Sequence, residues 1–169
     1  MTTFNLRQLR LRSGDQFRDR VEVELEPLVL GGQEYRPEPA LVPADLTVTK
    51  ASSGTVFELS FRARLEGPCF RCLTDTELEL SLDAREYQAV KPGDDPDLRS
   101  PYVHDDMLEL SAWAHDALAL ELPDKILHDP DCAGLCPECG KDLNVEPHTH
   151  EEQRGDSRWA ALDDLRERL

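Results

Sequence analysis

Phe57-Glu58-Leu59-Ser60-Phe61-Arg62-Ala63-Arg64-Leu65 decides the fold, because apolar and polar side chains alternate through it without a break. An extended strand sends successive side chains to opposite faces, so the stretch predicts a strand with one buried and one wet face. A second alternating run follows, with Leu78, Leu80, Leu82 and Ala84 set against Glu79, Ser81, Asp83 and Arg85. Two such runs about a dozen residues apart predict a hairpin with an elaborated tip. That tip contains Cys69 and Cys72.

Working back from this hairpin, Ser52-Ser53-Gly54 is a turn signal, and Leu46-Thr47-Val48-Thr49 predicts a short strand. Residues 33–44 hold three prolines and little periodicity, and are expected to be a connecting loop. Gly31-Gly32 predicts a turn, and Val21-Glu22-Val23-Glu24-Leu25-Glu26 another alternating strand.

Working forward, Lys91 to Asp106 is rich in proline and aspartate and predicts an exposed loop. A helix is expected over about 111–121, capped by Ser111 and ended by Pro123, with Leu110, Trp113, Ala114, Ala117 and Leu118 on one face. Residues 124–156 have no period but hold three cysteines and three histidines. Asp156 or Ser157 can cap a short C-terminal helix burying Trp159, Leu162 and Leu165. The expected architecture is α+β: a twisted antiparallel or barrel-like β-sheet with one packed helix, a Cys/His-rich zinc-binding tail and that short helix. The expected division is a mainly antiparallel β domain over 1–123 and a tail over 124–169 packed on it.

The 169 residues carry 19 Lys and Arg against 35 Asp and Glu, a formal charge of −16. The imbalance is local: residues 1–68 hold nine basic and ten acidic side chains, residues 69–169 ten and twenty-five. An acidic body repels nucleic-acid phosphate and attracts basic partners. No apolar run reaches the roughly 18 residues a membrane helix requires. The first residues lack the features of a secretory signal, so a cytoplasmic location is expected. In a reducing compartment, dense cysteine points to metal more than to disulfides, and an odd number such as five leaves one thiol over in a pure disulfide set.

Cys69-x2-Cys72, His128-x3-Cys132, Cys136-x2-Cys139 and His148-x-His150 are four pairs of candidate ligands. Zinc takes four thiolate or imidazole donors in a tetrahedron, and two donors on one tight turn supply two corners. Gly140, just after Cys139, permits the positive φ that turns backbone N–H groups toward the sulfurs. Chain proximity pairs Cys136 and Cys139 with His148 and His150, and Cys69 and Cys72 with His128 and Cys132. A rival grouping puts one zinc on Cys132, Cys136, Cys139 and a C-terminal histidine. Another joins Cys69, Cys72, Cys136 and Cys139. A redox role for Cys136 and Cys139 would call for a βαβ unit, and no such pattern is near. His104, His115 and the Asp105-Asp106 pair stand in no arrangement that suggests catalysis, there is no phosphate-cradling glycine loop, and no enzyme is expected.

Cys69-Phe70-Arg71-Cys72-Leu73 resembles the C-x-R-C-L motif of the YceD family of small bacterial and plastid proteins. Cys132-Ala133-Gly134-Leu135-Cys136-Pro137-Glu138-Cys139-Gly140-Lys141-Asp142-Leu143-Asn144 is similar to its C-x-G-L-C-P-x-C-G-x-D-L-N, and Asp156-Ser157-Arg158-Trp159 to its closing D-P-R-[FW]. Many members have cysteine where this chain has His128, and C-x-C where it has His148 and His150; these are exchanges of one zinc ligand for another. The resemblance implies a non-enzymatic role in accumulation of large-subunit (23S) ribosomal RNA and in ribosome biogenesis. With the charge, it leads to an expected basic ribosomal protein or large-subunit ribosomal RNA as partner, and to no small-molecule substrate.

Overall fold

The computed structural model describes residues 1–91, 93 and 95–150. In chain order the strands are β1 (Thr3–Asn5), β2 (Gln16–Glu24), β3 (Leu28–Leu30), β4 (Gln33–Pro37), β5 (Leu41–Lys50), β6 (Gly54–Pro68), β7 (Asp75–Ala89), β8 (Val103–His104) and β9 (Met107–Glu109), followed by helix α1 (Leu110–Glu121). The fold is α+β, an antiparallel sheet with one packed helix.

The predicted hairpin is its spine. β6 and β7 pair over fifteen residues each, from Gly54↔Ala89 to Pro68↔Asp75. On the other edge of β6, β5 occupies one end (Ala44↔Phe61 to Lys50↔Thr55) and β4 the other (Arg36↔Glu66, Pro37↔Leu65). β2 extends the sheet beyond β5, and β3 pairs with β4. Alternation works as the sequence demands: Phe57, Leu59, Phe61, Ala63 and Leu65 are buried, and neighbouring strands add Val42, Ala44, Leu46, Val48 and Leu82 to the same layer. α1 packs between β2 and β7, with Leu110, Trp113, Ala114 and Leu118 turned into the core. A small sheet, β1-β9-β8, ties the N-terminus to the helix entrance.

Three expectations change. Residues 33–44 are not simply a loop, since β4 and the first part of β5 lie within them. Pro43 is accommodated because it pairs only with Glu22 of β2, while the pairing with β6 starts at Ala44. Within the expected 91–106 loop lie a 3-10 turn at Pro96–Leu98 and β8. Ser111 does not cap the helix. Glu109 holds the cap position without a side-chain bond, and Ser111 Oγ instead accepts the Thr2 N–H at 2.8 Å, fastening the N-terminus to the helix. The expected C-terminal helix lies outside the described residues.

Candidate metal centre

The hairpin tip is a tight turn. Cys69 N–H donates to Thr74 O at 2.7 Å and Leu73 N–H to Cys69 O at 3.0 Å, which brings the Cys69 and Cys72 side chains to one side. Leu73 has φ +64°, the left-handed conformation that L-residues other than glycine resist. Cys136 to Gly140 repeats the turn: Gly140 N–H donates to Cys136 O at 2.8 Å with φ +71°. The second turn has the glycine that this geometry favours, and the first has a leucine.

A segment from far along the chain completes the first group, and residues just downstream of the Cys136 turn complete the second. Phe70 N–H donates to Ile126 O at 2.8 Å, and Leu135 N–H to Arg71 O at 3.1 Å, so residues 126–135 wrap the tip. The Arg71 guanidinium donates to Cys132 O at 2.6 Å. The donor atoms of Cys69, Cys72, His128 and Cys132 lie within 4.8 Å of one another, and so do those of Cys136, Cys139, His148 and His150. All eight predicted residues therefore fall into two groups of four. Neither rival grouping, with donors exchanged between the tip and the 136–139 turn, is assembled.

The spacing fits a tetrahedral ion. Metal–sulfur bonds of about 2.3 Å at tetrahedral angles put two sulfurs about 3.8 Å apart. Cys69 Sγ and Cys132 Sγ are 3.8 Å apart, and all five cysteines are free thiols. A disulfide would need about 2.05 Å. His128 Nδ1 lies 3.3 Å from Cys72 Sγ and 3.4 Å from Cys69 Sγ. In the second group, His148 Nε2 is 3.1 Å from Cys139 Sγ, while its Nδ1 donates to Glu146 O at 2.7 Å. That bond fixes the tautomer and leaves the Nε2 lone pair facing the sulfur. Glu138 Oε2 sits 3.4 Å from His150 Nδ1, a carboxylate beside the other imidazole.

The thiols are tuned accordingly. Burial pushes Cys69 up, but the His128 side chain and backbone N–H groups of Cys72, His128 and Arg71 outweigh it and bring it to about 5. Cys136 is lowered to about 6, chiefly by the Cys139 N–H. Burial raises Cys132 despite the Asn144 amide beside it. His148 is raised, first by its bond to the Glu146 carbonyl.

The groups differ in enclosure. Cys69, Cys72 and Cys132 are 0%, 6% and 1% exposed and only His128 of that group is open to solvent, whereas the second group buries Cys136 and opens at Cys139 and His150. Four supporting residues escaped sequence reasoning. Tyr35, in the segment expected to be a loop, is fully buried and donates its hydroxyl to Pro68 O at 2.9 Å, just before Cys69. Arg71 and Asn144 stand inside the cysteine-bearing motifs but carry no ligand chemistry of their own. Glu138 looked like one more surface acid in an acidic half.

Residues 57–166 match the family described as large ribosomal RNA subunit accumulation protein YceD, a span that includes the β6–β7 hairpin from Phe57 onward and both Cys/His groups. Uncharacterized proteins of Mycobacterium tuberculosis and Mycobacterium bovis are 34% identical to it over 128 residues, which is 73% of this chain and 61% of each relative. An uncharacterized protein of Mycobacterium leprae is 34% identical over 131 residues, 75% of this chain and 59% of that relative. The chain thus spans about three fifths of the length of these relatives. No solved structure matches. With most of the hairpin, its cysteine tip and the second Cys/His turn inside the matched span, the chain belongs to the YceD family.

Proposed function

We propose that this protein is a non-enzymatic factor that supports accumulation of large-subunit ribosomal RNA by holding a basic ribosomal protein during assembly. The observation that carries this reading is the family match over residues 57–166. The eight Cys and His residues are assigned as ligands of two structural zinc ions, which would make 124–169 a metal-ordered tail on a β domain of 1–123. Each donor set supplies four ligands and would be closed, with no position left for a water or substrate. The role of such zinc is to hold residues 126–150 on the hairpin tip, and no reaction passes through it.

Charge favours a protein partner over direct binding to RNA. Residues 69–169 carry the acidic excess, and phosphate is repelled by such a surface. Several arginines that could reach RNA are already engaged: Arg7 with Asp106, Arg64 with Glu66 and Glu77, Arg85 with Glu58, and Arg71 with a backbone carbonyl. Beside the hairpin tip, Glu34, Glu38, Glu66, Asp75 and Glu77 line an open groove of about 620 Å³, with Arg36 also in its wall. No helix among the described residues is long and apolar enough to cross a membrane.

The test is affinity capture from cells at stepped salt, with and without RNase. The reading predicts RNase-resistant capture of cationic ribosomal proteins that fades with salt and is weakened by Asp75→Asn with Glu77→Gln. RNase-sensitive capture abolished by neutralising Arg10, Arg12, Arg18 and Arg20 would replace it with direct RNA binding.

A further inference from the structure

The two Cys/His groups are joined by more than chain connectivity. Cys132 belongs to the first group and Cys136 to the second, only four residues later. Between and after them the chain folds into a miniature hairpin. Leu135 bridges to Asp142, Cys136 N–H donates to Lys141 O at 2.8 Å, and Leu143 N–H donates to Gly134 O at 2.9 Å. The closed end of this hairpin is the Cys136–Cys139 turn itself. Its open end carries Asn144, whose side chain returns to the first group: Nδ2 lies 3.5 Å from Cys132 Sγ, and Oδ1 accepts the Ala133 N–H at 2.8 Å. Asp142 Oδ1 holds the same amide at 2.6 Å from Nδ2 and also accepts the Asn144 N–H at 2.8 Å.

Every polar atom of the Asn144 side chain is thus oriented, and one N–H is aimed at a sulfur of the other group. Residues 135–142 bury little apolar surface, so an ion on Cys136 and Cys139 would be the clamp that closes this hairpin. A hydrogen bond to a ligating thiolate stabilises its charge and fixes its direction. On the reading above that both groups hold metal, we propose that Asn144 is a positioning residue that couples them: filling the more exposed second site closes the 135–142 hairpin and brings the Asn144 amide onto Cys132, tightening the more enclosed first site. Linkage makes the effect reciprocal, so an occupied first site also tightens the second.

The experiment is zinc competition against a graded chelator on the reduced full-length chain, comparing wild type, Cys139→Ser, Asn144→Ala and the double variant. Each single variant should weaken the first site by about 10- to 100-fold, the range for groups that orient a metal ligand. The double variant should be no weaker at that site than the worse of the two singles. An exchange variant, Asp142→Asn with Asn144→Asp, keeps the net charge, an acceptor for Ala133 and an amide–carboxylate pair, but removes the N–H facing the sulfur. With cobalt as the probe, this variant should shift the sulfur-to-metal charge-transfer band of the first site and weaken it like Asn144→Ala. Additive losses, or an exchange variant with the wild-type band and affinity, would overturn the coupling while leaving two metal sites. No metal uptake by wild type would overturn the metal reading and the coupling together.

Discussion

The two Cys/His groups have nearly the same donor chemistry and the same backbone turn, yet they sit in the fold differently. The first lies where the longest strands end, with three thiols almost fully buried and segments from both halves of the chain meeting on it. The second is drawn from residues 136–150 alone and opens to solvent at Cys139 and His150. One is a junction between sheet and tail, and the other is a local clamp within the tail. The difference teaches that ligand spacing along the chain says little about structural weight, which depends on what the ligands join.

Substitutions can break this comparison, and the largest effect is expected at the junction. Structural zinc is worth about 10–16 kcal/mol to a free zinc-finger peptide, and here that ordering energy would hold residues 126–135 on the tip. Cys72→Ser should therefore expose backbone amides across 126–146 to rapid hydrogen exchange. Cys136→Ser should release the other ion and loosen 135–150, with the β6–β7 amides still protected. Equal loosening of residues 126–134 by both variants would erase the distinction.

The sheet itself should respond to its core and not to metal. Phe57 is 1% exposed within the layer formed by β5, β6 and β7. Phe57→Ala should cost about 3–5 kcal/mol, read by denaturant unfolding. The same cost should appear in the metal-free protein if the sheet folds independently of the tail.

The smallest effect has the opposite sign. Leu73 holds φ +64° where the equivalent turn of the second group has Gly140, and the residue is 54% exposed. A left-handed L-residue costs roughly 1–2 kcal/mol, against about 0.5–1 kcal/mol for the extra backbone freedom of glycine. Leu73→Gly should stabilise the first turn by up to about 1.5 kcal/mol, measured as a higher unfolding midpoint. Destabilisation would mean that the leucine side chain contributes packing that offsets its strained backbone.

Much of this was legible in the sequence, for definite reasons. The alternation through 57–65 and 78–85 sets the hairpin because one face must be buried, and a register slip of one residue would expose it. Paired spacing of Cys and His brought out the eight residues that gather into two groups, because a tetrahedral site needs neighbours on tight turns. What could not be read was long-range. Tyr35 and β4 were hidden by prolines, whose positions are allowed only because of which neighbouring strand is absent beside them. Ser111 looked like a cap because local sequence cannot reveal Thr2 waiting to bond it. Asn144 gave no sign of facing Cys132, because that contact depends on the 135–142 hairpin closing first.

The central claim is that each group of four donors holds one ion. Native mass spectrometry of the full chain, purified under reducing conditions without chelator, tests it most directly. Two zinc ions per chain are expected, with one lost in Cys136→Ser and the other in Cys72→Ser. A chain that carries no metal, or a single ion removed by either substitution, would contradict it.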